Sequence, residues 1–382
     1  NLNPTFICLG YSSTLDAGNA GSSYDWSTGE STQTISVSDS GSYTVVVTSA
    51  NGCAALGQTV VTVGGNITAN PTTINICSGN STTLNAGNPG STYAWSTGQT
   101  TQTITTSTSG NYYVTITDMN GCAATKLNVV NVDPLPVASF AVSPTCLGNS
   151  TMFTNNSTIS SGTIANSLWS FGDSFSSSSL NPSHSYSGAG SYSVTLTVTS
   201  AAGCTSTTNQ NVVINPLPTA DFSTTTVCLG SSNQFTDNST VSSGFISEWI
   251  WNFGDGTTGT TASTSHAYST AGNYTATLIA VTNNNCSDTI SHQVVVNGLP
   301  VSAFTAGNGC AESLISFTNT SNSAYGSITT YAWNFNNGNT STLTDPSIQF
   351  TNPGTYNVSL IATTVSGCVD TSKQAITIYP VP

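Results

Sequence analysis

Ten cysteines recur at two fixed spacings, and that arithmetic restricts the chain to a tandem array. Cys8 and Cys53, then Cys77 and Cys122, are each 45 residues apart. Cys146 and Cys204, Cys228 and Cys286, and Cys310 and Cys368 are each 58 apart. The first cysteine of each pair recurs after 69, 69, 82 and 82 residues. A fixed period over the whole length means copies of one folding unit. Five units follow, at 1–64, 65–132, 133–215, 216–297 and 298–382, two short and three long. An array spends its residues on extension, which predicts a spacer or adhesive rod before it predicts an enzyme.

Units this small have thin cores, so covalent staples help them. Paired cysteines at regular spacing point to disulfides and an oxidising, extracellular or cell-surface setting. Structural zinc fits poorly, because there is no CxxC and His184, His266 and His292 lie far apart. Lys126 and Lys373 are the only basic residues against fifteen acidic ones, for a net charge of −13. Nucleic acid and anionic membrane surfaces need clustered Lys and Arg, so neither is a partner. No apolar run is long enough for membrane insertion. The opening Asn1–Cys8 matches the middle of the segment Ala69–Cys77, and the closing Tyr379-Pro-Val-Pro382 matches the later linkers. Further repeats of the same chain are therefore expected on both sides. Trypsin-like proteases find only the two lysines, which suits a surface selected for durability.

The fourth unit shows the local pattern. Ala220–Cys228 reads as a first strand, Asn233–Asp237 as a second and Glu248–Phe253 as a third. Gly254-Asp-Gly256 is a turn signal. Tyr274–Thr282 is the clearest strand, and the last one ends in Val294-Val-Val296. A tryptophan marks the middle strand of every unit: Trp26, Trp95, Trp169, Trp251 and Trp333. A glycine precedes the late-strand tyrosine by two residues in each (Gly41, Gly110, Gly190, Gly272 and Gly354). This glycine suits a corner with positive φ, where the tyrosine hydroxyl bonds back to the backbone. Short alternating strands with no helical period predict an all-β chain of five immunoglobulin-like β-sandwiches arranged as an extended rod.

Trp169-Ser-Phe-Gly-Asp173 and Trp251-Asn-Phe-Gly-Asp-Gly256, each followed by His-x-Tyr and Gly-x-Tyr, resemble the PKD domain, an immunoglobulin-like sandwich. The fifth unit departs with Trp333-Asn-Phe-Asn-Asn-Gly338 and no His-x-Tyr, so its central turn is expected to differ. The first two units run Trp-Ser-Thr-Gly and carry Asn51-Gly-Cys53 and Asn120-Gly-Cys122. They resemble the shorter repeats of Bacteroidota surface proteins. Together the units resemble that phylum's repetitive adhesins, including gliding adhesins, which implies export by type 9 secretion.

Two disulfide schemes stay open. Constant spacing suggests one bridge within each unit. In a seven-strand immunoglobulin-like sandwich, however, the first cysteine ends strand one at the top and the second lies at the bottom turn. Those ends are roughly 30 Å apart, whereas a bridge needs Cα atoms within about 7 Å. Head-to-tail stacking would instead pair Cys8 with Cys122, Cys77 with Cys204, Cys146 with Cys286 and Cys228 with Cys368. It leaves Cys53 and Cys310 for units outside this stretch. Within-unit pairing requires a different strand count.

The tryptophans read as core rather than as a sugar platform. Trp249 shares the face of Trp251 and is not placed further. Asp118, Asp133, Asp173 and Asp255, near turns or linkers, are the calcium candidates. No DxDxDG loop exists, and an Asp in a Gly-Asp-Gly turn normally bonds its own backbone. The expectation is therefore no cofactor. His184 and His266 recur at one repeat position and read as fold residues, and no catalytic constellation stands out. Asp288-Thr-Ile290 resembles the short O-glycosylation motif of Bacteroidota, with Thr289 as acceptor. The preferred function is a non-enzymatic adhesive rod or filament whose partners are surface polysaccharide, a solid substrate, or further repeats of the same chain. One alternative is a carbohydrate-binding spacer of a secreted polysaccharide-degrading enzyme. The other is a fibre subunit that polymerises laterally.

Overall fold

The computed structural model describes residues 2–382 and, among them, contains 36 β-strands and no helix. Five separate apolar clusters, each within one unit, form the cores of an extended tandem array of immunoglobulin-like sandwiches. Alternation drives each strand. Along Gly272–Thr282, Ala276, Leu278 and Ala280 are buried while the residues between them are not fully covered. A period of two sends one face of a strand to the core and the other toward solvent.

The strand count differs from the seven-strand expectation. A short unit pairs a four-stranded sheet with a two-stranded one, and a long unit pairs five strands with three. In the first unit the larger sheet runs Thr5–Cys8, Ala54–Gly64, Gly41–Thr48 and Ser23–Trp26, facing Ser13–Asp16 with Thr34–Val37. In the long units the expected first strand is split. Phe222–Thr224 pairs antiparallel with Asn233–Asp237 in the smaller sheet, and Val227–Cys228 then crosses to pair parallel with Ser287–Asn297 in the larger. The alternation from Ala220 to Cys228 hid this crossing, because changing partner sheets leaves side-chain periodicity nearly intact.

The five tryptophans are buried, and each indole N–H donates to a loop carbonyl, as Trp251 does to Thr261 at 2.8 Å. The tyrosine corner forms in all five units. Tyr43, Tyr112, Tyr192, Tyr274 and Tyr356 each donate to the carbonyl four residues upstream, at 2.8–3.0 Å. The glycine before that tyrosine takes the expected positive φ in the three long units but not in the two short ones. Gly41 and Gly110 do not have positive φ, whereas Gly190, Gly272 and Gly354 sit at φ 155–158°, a conformation that side chains rarely adopt. In four of the five units an added Cβ would lie 3.6–4.0 Å from the ring carbons of Tyr43, Tyr112, Tyr192 and Tyr356, an ordinary van der Waals contact, so the ring alone does not demand glycine.

The fifth unit keeps the central turn despite its different sequence. Asn336 takes φ 60° where Gly254 has 85°, and Asn337 Oδ1 accepts the Asn339 N–H as Asp255 Oδ1 accepts that of Thr257. Asparagine tolerates the left-handed region because its short polar side chain bonds locally.

Candidate functional site: the junctions between units

Every unit ends in an eleven-residue strand that begins just after its second cysteine, such as Ala54–Gly64 after Cys53. The first cysteine lies on a strand running parallel to it, in register with its far end: Cys8 with Gly64, Cys77 with Asp133, Cys146 with Asn215, Cys228 with Asn297. Eleven residues at ~3.3 Å each separate the two cysteines of one unit by about 35 Å. No within-unit bridge can close that gap.

The bridges cross the junctions instead. Cys8 bonds Cys122, Cys77 bonds Cys204, Cys146 bonds Cys286 and Cys228 bonds Cys368, with Cα separations of 5.5–5.6 Å. They close sequence intervals of 114, 127, 140 and 140 residues. Closing loops of this length removes denatured-chain entropy worth on the order of 4–5 kcal/mol each in the chain-entropy account. Cys53 and Cys310 carry free thiols, and both are exposed.

The backbone presents both cysteines in the same way at each junction. The second one closes a tight turn, in which Asp118 N–H donates to the Cys122 carbonyl and Gly121 N–H to that of Asp118. Asp118 Oδ1 accepts the N–H groups of Asn120 and Cys122, so this calcium candidate is an acceptor for its own turn. On the other side, Leu229 N–H donates to the Asn297 carbonyl, and Cys368 Sγ lies 3.9 Å from that same oxygen. The bonded second cysteines are only 1–2 % exposed (Cys122, Cys204, Cys286 and Cys368).

Close packing fixes the first junction. Gly65, at φ +88°, faces the bridge, and an added Cβ would lie 2.6 Å from both Cβ and Sγ of Cys122. At the fourth junction the ring of Tyr325 lies over Gly298, where a Cβ would collide with it. Two carboxylates then hold the linker to the unit it enters. Asp288 Oδ2 accepts Ala220 N–H at 2.9 Å, and Asp370 Oδ2 accepts Ser302 N–H at 2.8 Å. The sequence signal for this clamp is an Asp two residues past the second cysteine, together with a Leu-Pro linker. Thr289, next to Asp288, is exposed on the final strand.

The other candidates lie apart from one another. Asp133 ends its unit's last strand, where its carbonyl accepts Ser78 N–H. Asp173 and Asp255 pair with histidines, Asp173 Oδ2 lying 2.7 Å from His184 Nε2 and Asp255 Oδ2 2.7 Å from His266 Nε2. Each histidine stacks on a core phenylalanine, His184 on Phe171 at 4.2 Å and His266 on Phe253 at 4.3 Å between ring centroids. Burial pushes both carboxyls up, but hydrogen bonds outweigh it and hold them below the usual carboxylate range, from His184 and the Phe175 N–H at Asp173 and from the Thr257 hydroxyl, His266 and the Thr257 N–H at Asp255. Burial, reinforced by the neighbouring carboxylate, pushes Tyr186 and Tyr268 up to about 12. Their hydroxyls donate to the carbonyls of Phe171 and Phe253. These groups brace the central turn against the His-x-Tyr strand. In the fifth unit Ile348 and Phe350 occupy that strand's inward positions.

Trp249 now has a partner, its indole N–H donating to Asp237 Oδ2 at 2.6 Å while the ring packs at the core's edge. No group of three or more His, Cys, Asp or Glu side chains able to hold a metal occurs among the described residues. Nor does any helix long and apolar enough to cross a membrane.

Comparison with known proteins bears on the long units. The family model described as PKD domain matches residues 131–214, 215–296 and 297–378. The pre-pro-metalloprotease PrtV of Vibrio cholerae is 43% identical over 58 residues, 15% of this chain and only 6% of that protein. The solved PKD1 domain of that metalloprotease is 42% identical, covering 21% of this chain and 96% of that one at a TM-score of 0.20. The PKD1 domain of Vibrio anguillarum Epp is 30% identical over 22% of this chain and 99% of that one, at 0.21. The immunoglobulin domains 1–5 of Sidekick-1 align with 99% of this chain and 97% of their own at 12% identity and a TM-score of 0.26.

Proposed function

We propose that this chain, which belongs to the PKD domain family through residues 131–214, 215–296 and 297–378, is a non-enzymatic extracellular stalk stiffened at its joints by disulfides. PKD and immunoglobulin-like domains are typically structural modules, and disulfide-rich ones are typical of extracellular or surface proteins. One observation carries the stalk reading: all four bridges span junctions and none lies within a unit. A bridge inside a unit would stabilise that unit alone. A bridge beside the linker gives each pair of neighbours a second covalent tether, which suppresses the hinge motion expected of small interdomain contacts.

The finer reading is a surface adhesin of the Bacteroidota type, exported by type 9 secretion and used in attachment or gliding. Its support is the motifs of the two short units. Its partners would be surface polysaccharide or a solid substrate, and it would need no cofactor. A second reading, a spacer within a secreted hydrolase, is favoured by the likeness to a domain of a metalloprotease. A glycan array and the full reading frame separate the two.

Small-angle scattering and electron microscopy of the oxidised and reduced chain test the stalk. Oxidised particles are expected to be straight and of narrow length distribution, and reduced ones bent at the linkers. Equal bending in both states, or a compact particle, would overturn the reading.

A further inference from the structure

We propose that the array is a tension-bearing tether in which two covalent lines carry force past the interior of every unit. This rests on the stalk reading and adds a mechanical activity to it.

The connectivity contains the lines. From the second cysteine of one unit to the first cysteine of the next is 24 residues at all four junctions: 53 to 77, 122 to 146, 204 to 228 and 286 to 310. That interval is constant although unit interiors differ, 45 residues separating the cysteines of a short unit and 58 those of a long one. Each 24-residue crossing holds a unit's last strand, the linker, and the next unit's first strand or strands. The far cysteines of the first two crossings, Cys77 and Cys146, are bonded to the near cysteines of the third and fourth, Cys204 and Cys286, and Cys228 at the end of the third is bonded to Cys368.

One line therefore runs from Cys8 to Cys122, along 122–146, across to Cys286 and along 286–310. The other runs along 53–77, across to Cys204, along 204–228, and across to Cys368. In every unit from the second to the fifth the lines lie side by side as paired parallel strands, Thr72–Cys77 with Ala123–Asp133 in the second. The intervening segments, such as 78–121 and 147–203, join one line to the other as braces.

Two consequences follow. The strand portions of the crossings lengthen by only about 10 % on straightening, from ~3.3 to ~3.6 Å per residue. Force that enters on one line and leaves by the other loads the parallel hydrogen bonds between them together in shear, not one at a time. A constant crossing with a variable brace is what such a tether requires. Crossing length sets the register of the bridges, whereas brace length changes only the girth of the unit.

Single-molecule pulling tests this on the full chain with Cys53→Ser, using one handle fused at the N-terminus and the other thioether-linked to the exposed Cys310. This geometry pulls on one line alone. The oxidised protein is expected to show no unfolding step before a covalent bond or a handle fails. After reduction, four steps are expected, of about 200 Å for short units and about 250 Å for long ones. Removing one bridge with Cys146→Ser and Cys286→Ser is expected to restore stepwise lengthening without reductant. Steps of those sizes in the fully oxidised chain, or identical traces before and after reduction, would overturn the proposal. Either result leaves the stalk reading to its own scattering test.

Discussion

Cys8 is bonded to Cys122 of the neighbouring unit, with Cα atoms 5.5 Å apart, while Cys53 of its own unit stays a free thiol at the far end of the same sheet. The parallel pairing of Thr5–Cys8 with Val61–Gly64 produces this separation, because it carries the first cysteine to the end of the strand that starts beside the second.

Thiol chemistry distinguishes the two classes of cysteine. Iodoacetamide applied to the native chain is expected to modify Cys53 and Cys310 alone. Peptide mapping without reductant is expected to recover Cys77 joined to Cys204. Recovery of Cys77 joined to Cys122 would contradict the junction scheme.

Gly65 is the most sensitive backbone position at the first junction. In Gly65→Val the left-handed backbone costs about 1–2 kcal/mol, and the added carbons occupy the space of Cys122. Oxidative refolding is expected to leave two additional titratable thiols, those of Cys8 and Cys122. An unchanged thiol count would show that the junction can move aside.

Stability of the third and fourth units depends on pH at both extremes. Asp173 and Asp255 have depressed carboxyls, so their contribution is present above the ordinary value of 3.8 and is lost as pH falls through the depressed values. Tyr186 and Tyr268 are raised from 10.0 to about 12, so theirs is complete below pH 10 and is lost as pH rises toward 12. Hydrogen exchange resolved by unit is expected to show these two units loosening below about pH 4 and above about pH 10. The fifth unit, with Ile348 and Phe350 at the corresponding inward positions, is expected to change least. Asp173→Asn should flatten the acid limb of the third unit only.

The two tryptophans of the fourth unit should separate in magnitude. Trp251 is fully buried, so Trp251→Ala is expected to cost about 3–5 kcal/mol in the stability of that unit. Trp249→Phe keeps most of the ring and loses a hydrogen bond to a carboxylate, for about 1.5–3 kcal/mol. Denaturant unfolding followed by exchange in the fourth unit measures both. Equal losses would mean that Trp249 belongs to the core itself.

Much of the fold was legible because its signals are local. The tryptophan, the tyrosine corner and the alternation of Tyr274–Thr282 each depend on residues within a few positions of one another. The misreadings came from choices between partners. Nothing local distinguishes a strand that stays in one sheet from one that changes sheets between Thr224 and Val227. The Asp288 clamp on Ala220 joins residues 68 positions apart, so the Asp two residues past the second cysteine does not announce its partner. The glycine before each tyrosine announced a corner, but the positive φ it implies occurs only in the three long units, a difference in backbone path that the shared Gly-x-Tyr does not show.

Periodicity by itself determined the number of units, their β character and the regular presentation of ten cysteines, since each follows from counting along one dimension. Which sulfur meets which was decided in three dimensions. A parallel first strand places the two cysteines of a unit about 35 Å apart along an eleven-residue strand, and stacking brings those of neighbouring units within 5.5–5.6 Å.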